Sequence, residues 1–102
     1  MPRRPKPHEE IWTFLTNHTH VLVCIHRDEE MTMREISDEI GITERAVQRI
    51  IRDLVAAEYL VALKDGRRNR YQLNFNKNLR HRLEGSCHIG ELLELVKDKA
   101  IP

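Results

Sequence analysis

The stretch from Thr32 to Glu58 constrains this chain more than any other, because its residues mark the ends of two helices and the short gap between them. Thr32 and Glu35 stand at the spacing of a capping box, in which a hydroxyl and a carboxylate satisfy backbone amides left over at a helix start. Met33, Ile36 and Ile40 follow at i, i+3 and i+7 as one buried stripe, and Gly41 suits a left-handed helix terminus. Thr43 then caps a second helix, which the good formers Glu44, Arg45, Ala46, Gln48, Arg49 and Leu54 carry to about Glu58. Two helices therefore meet across a turn at Gly41-Ile42.

The second helix has opposed faces. With Arg45 at zero, Gln48, Arg49 and Arg52 project at roughly 300°, 40° and 340°, while Val47, Ile50, Ile51 and Leu54 fall at roughly 200°, 140°, 240° and 180°. An arginine can donate two bonds to guanine O6 and N7, glutamine can pair with adenine N6 and N7, and a capped helix start can hold a phosphate. The plainer alternative is a solvated surface face whose arginines pair with Glu44 or Asp53.

The segment after the helix separates these two possibilities. Beyond Tyr59 the pattern changes to β, with Leu60 to Lys64, a turn signal at Asp65-Gly66, and Arg70 to Phe75 alternating Tyr71, Leu73 and Phe75. Lys64, Arg67, Arg68 and Arg70 surround the tip, which fits a phosphate backbone or a minor groove. The formal net charge of +1 hides this patch: residues 64–82 hold 7 Lys or Arg against 1 acidic residue, and residues 8–63 hold 5 against 11.

Elsewhere the chain reads as helical. Residues 1–7, with three prolines and three basic residues, form an extended basic arm. Ile11, Trp12, Phe14 and Leu15 place a short helix over His8 to Thr16, and Thr19 caps the apolar helix His20 to Arg27. Ile89, Leu92, Leu93 and Val96 lie on one face of a final amphipathic helix, about 88–98. The expected fold is mainly α with a small β-hairpin, one domain over 8–102, with helices flanking a helix-turn-helix at 32–58 and a hairpin at 60–75.

The stretch MTMREISDEIGITERAVQRIIRDLVAAEYLVALKDGRRNRYQLN closely resembles winged helix-turn-helix transcriptional regulators of the MarR and ArsR type from prokaryotes. The likeness is strong over residues 31–75 and looser at the WTFLTNH start and the LRHRLEG end. It implies a three-helix core with a β-wing, sequence-specific binding of double-stranded DNA, and a homodimer built from terminal helices. By position, Thr43, Arg45, Ala46, Gln48 and Arg49 match recognition-helix contacts, and Arg67, Arg68 and Arg70 match the wing. With Glu44, Arg52, Lys64 and Asn69 beside them, these make up the expected DNA-binding set. Many ArsR-type metal sensors carry a cysteine pair on the helix before the recognition helix, and Thr32 to Ile40 has none. MarR-type terminal helices that enclose a ligand pocket are longer than those here.

A core needing only three helices leaves the apolar residues of two terminal helices uncovered, so Ile11, Trp12, Leu15, Ile89, Leu92, Leu93 and Val96 are the expected dimer interface. His18, His20, His26, His81, Cys87 and His88 fit no metal-ligand spacing, and no cofactor is expected. There is no catalytic motif, so an enzyme is not expected. Lacking a long apolar run or a secretory signal, the chain is expected in the cytoplasm. The expectation is a homodimeric DNA-binding regulator, with a winged-helix module that binds another protein as the alternative; no effector is indicated.

Overall fold

The computed structural model describes residues 12–66 and 68–96; at Asp65, Arg68 and Asn69 it describes the backbone alone. The elements are α1 (Asn17–Arg27), α2 (Met33–Ile40), α3 (Glu44–Ala56), β1 (Leu60–Asp65), β2 (Arg68–Leu73) and α4 (Ile89–Leu95). The basic arm and Ile11 lie outside the described residues.

The caps read from the sequence place α2 and α3. Thr32 N donates to Glu35 Oε1 at 2.8 Å and Glu35 N to Thr32 Oγ1 at 3.1 Å, closing the capping box. Gly41 turns left-handed at φ 88°, and its amide and that of Ile42 both donate to Ser37 O, at 2.8 and 3.1 Å. Thr43 Oγ1 accepts from Ala46 N at 3.0 Å and starts α3. The turn is thus capped on both sides, which fixes the angle at which α3 leaves α2.

Val21, Leu22, Cys24 and Ile25 of α1, Ile36 of α2, and Val47, Ile50, Ile51 and Leu54 of α3 form the core with Tyr59, Leu60, Ile89 and Leu93. The strands pair antiparallel from Leu60↔Leu73 to Asp65↔Arg68. Leu60 enters the core, while Ala62 and Tyr71 face each other one step outward.

Several expectations are corrected. Residues 12–16 are not helical: Thr16 is extended, at ψ 169°, and its Oγ1 accepts from Thr19 N, so Thr16 rather than Thr19 caps α1. A residue that caps one helix in an extended conformation cannot also continue another. Helix α3 stops at Ala56, before Glu58, because Glu58 adopts φ 68° and Tyr59 N donates back to Leu54 O at 2.9 Å. Asp65, expected in the turn, instead ends β1 opposite Arg68, and the chain turns at Gly66. A tight hairpin favours positive φ at its first turn residue, and Gly66 supplies it at 65°. Strand β2 ends at Leu73: the chain turns beyond it, with Lys77 N donating to Asn74 O, and Phe75 O accepts from Gly90 N.

Helix α4 is docked by the segment before it. Leu79 N donates to Cys87 O and Ile89 N to Lys77 O, and Tyr59 Oη donates to Asn78 O. Ile89 and Leu93 then enter the core, at 4% and 1% exposed. They are therefore corrected from the expected dimer surface to the interior of the chain itself, because α4 folds back onto α1 instead of presenting that face outward. Trp12 is 74% exposed and stacks edge-on against Phe14; Leu15, Leu92 and Val96 are half-buried.

The two thiols differ in the same way. Burial pushes the Cys24 thiol above its ordinary range, with Glu39 adding to the shift and Arg27 opposing it, whereas Cys87 is exposed. A maleimide at neutral pH is expected to label Cys87 promptly and Cys24 only after denaturant is added. Equal labelling of both in the native protein, read by mass spectrometry, would contradict this packing.

Candidate nucleic-acid interface

The candidate surface starts from the amphipathicity of α3. Val47, Ile50, Ile51 and Leu54 are buried, while Thr43, Glu44, Arg45, Gln48, Arg49 and Arg52 are exposed and Ala46 is half-buried. The division follows the 3.6-residue period, and the core holds the helix from behind. The outward row is polar, extended and rooted on a rigid element.

Among the described residues, none of Arg45, Arg49 and Arg52 makes an ion pair. The alternative of a solvated face neutralised by Glu44 or Asp53 is not what the structure holds. Asp53 instead accepts from His18 Nε2 of α1 at 2.9 Å.

The hairpin contributes less uniformly. Lys64 is exposed near its tip. Arg70 faces back to the body, where its guanidinium donates to Glu29 in the α1–α2 connection. This ion pair ties the middle of β2 to the α1–α2 connection. Arg67 lies outside the described residues, as do the side chains of Arg68 and Asn69.

Sequence reasoning did not find the His18–Asp53 and Glu29–Arg70 pairs. Their members are 35 and 41 residues apart, and neither periodicity nor motif spacing carries a signal at that range. Behind α3 lies an open cleft of about 560 Å³, lined by His18, Leu22, Asp53, Tyr59, Leu79 and Arg80 among others. No group of three or more His, Cys, Asp or Glu residues is placed to hold a metal among the described residues. No described helix is long and apolar enough to cross a membrane.

A tight helix-turn-helix, a preceding helix that completes the core, and an antiparallel hairpin directly after the second helix of the pair define a winged helix-turn-helix. Residues 15–61 match the model of the winged helix-turn-helix DNA-binding family, a span that contains α1, α2 and α3 and enters β1. The match supports DNA as the partner of this segment. No curated protein matches the chain.

Proposed function

We propose that the protein is a sequence-specific transcriptional regulator that places α3 in the major groove of double-stranded DNA and lays the hairpin tip along the backbone or minor groove. The observation that carries this reading is the exposed row Arg45, Gln48, Arg49 and Arg52 on α3, whose cations make no internal ion pair among the described residues. An unpaired arginine row on a helix supported from behind is poised for charge-assisted, two-pronged hydrogen bonds. The capped start at Thr43 adds backbone amides directed at a phosphate. Lys64, Arg67, Arg68 and Asn69 would follow the backbone, with Arg70 anchoring the wing at the middle of β2.

The regulator acts as a homodimer in this reading. A two-fold pair would set two recognition helices roughly 34 Å apart and favour a palindromic site. Trp12, Leu15, Leu92 and Val96 are the residues left to form its interface, together with Ile11. A DNA regulator without a membrane span would act in the cytoplasm, with no cofactor and no catalysis.

Selection from random duplex DNA tests the proposal. Enrichment of a palindromic motif is expected, with affinity that falls steeply as salt rises, because several phosphates are neutralised. Failure to enrich any motif, or binding indifferent to salt, would refute it.

A further inference from the structure

Asp53 is the one acidic residue late in α3, and it lies at the border of the cationic row. On the helix it projects at roughly 80° when Arg45 is zero, beside Arg49 at roughly 40° and one turn beyond it. A carboxylate four residues after an arginine lies within reach of it, although the acid-first order is the stronger one. Here the two do not pair: Asp53 Oδ2 accepts from His18 Nε2 at 2.9 Å, and Arg49 makes no ion pair among the described residues. Both side chains of the bridge are about half exposed, at 47% and 56%, so burial does not enforce this choice. What enforces it is the position of His18 in the first turn of α1, which packs across α3.

We infer that His18 is a positioning residue for DNA binding: it turns the Asp53 carboxylate toward α1 and so leaves Arg49 available to a phosphate or base edge. Without His18, Asp53 closes an i, i+4 pair with Arg49, occupying a cation and putting a negative charge on the DNA-facing row. The inference rests on the proposed DNA-binding reading.

His18→Ala, Asp53→Asn and the double variant test it by titration of the selected duplex. His18→Ala is expected to weaken binding about three- to tenfold and to reduce the slope of log affinity against log salt by about one phosphate contact. Asp53→Asn alone is expected to bind at least as well as the parent. Adding Asp53→Asn to His18→Ala should restore affinity, because no carboxylate remains to capture Arg49. Equal losses in both single variants, without rescue, would mean that the bridge only ties α1 to α3 and would overturn the proposal. So would an unchanged His18→Ala in a protein whose parent binds DNA, which leaves the DNA reading intact.

A measurement without DNA keeps the two readings separate. By NMR of the arginine side chains, exchange and rotation at Arg49 are expected to slow in His18→Ala and to recover in the double variant. An Arg49 signal identical in all proteins would overturn the capture mechanism whether or not DNA binds.

Discussion

Alanine at Arg45 or Gln48 is expected to reduce discrimination between the selected DNA site and mismatched sites by about 1–3 kcal/mol, roughly five- to 150-fold. Both residues lie in the exposed first half of α3, where a recognition helix meets base edges. Among the described residues Arg45 makes no ion pair, and the stability of either variant should stay within about 0.5 kcal/mol of the parent. Lys64→Ala and Arg68→Ala are expected to differ in kind. A contact to phosphate carries no sequence information, so these changes should weaken all duplexes alike and lower the salt slope by about one. Titration of matched and mismatched duplexes at two salt concentrations measures both effects. Unchanged discrimination in both helix variants would remove α3 from the role of reader.

Replacing Leu93 by alanine is expected to lower stability by about 2–5 kcal/mol. Leu93 is 1% exposed and shares the core with Leu22, Leu54 and Ile89. Helix α4 has 7 residues, too short to form without packing, so losing this anchor should also release the α4 face that covers α1. For a chain of this size the loss corresponds to a drop in melting temperature of roughly 10 °C or more. Leu95, on the same helix but 75% exposed, serves as the control, and its alanine variant should melt within a few degrees of the parent.

Dilution sharpens the experiment. Were Leu93 an interface residue, the effect of the substitution would grow with protein concentration and vanish on dilution, because association stabilises by mass action. A loss independent of protein concentration assigns Leu93 to the chain's own core. A loss that vanishes on dilution would return it to the dimer surface.

The local chemistry of the helix-turn-helix was legible residue by residue. The Thr32–Glu35 box, Gly41 and Thr43 act within four residues of themselves, so spacing alone located them. The division of α3 was equally local, since 3.6-residue periodicity separates Arg45, Gln48, Arg49 and Arg52 from Val47, Ile50, Ile51 and Leu54 whatever the helix packs against. The end of α3 at Ala56 was less so, because Glu58 enters the left-handed region that glycine usually occupies at helix ends.

Only the tertiary structure decided which apolar faces are satisfied and which charges remain available. Amphipathicity marked Ile89 and Leu93 as residues seeking cover without saying whether the cover comes from the same chain or from a second copy. The bonds from Asn74 to Tyr59, from Gly90 to Phe75 and from Tyr59 to Asn78 bring α4 back to the core and answer that question for these two residues. The arginines posed the same kind of problem. Composition counted their charge, but the partners that withdraw Arg70 to Glu29 and Asp53 to His18 are 41 and 35 residues away in sequence. The sequence by itself determined the pair of helices that start after Thr32 and Thr43 and the two faces of the second, because capping and periodicity act over a few residues. The tertiary structure decided which arginines that second helix leaves unpaired, because opposite charges meet through space and not through spacing along the chain.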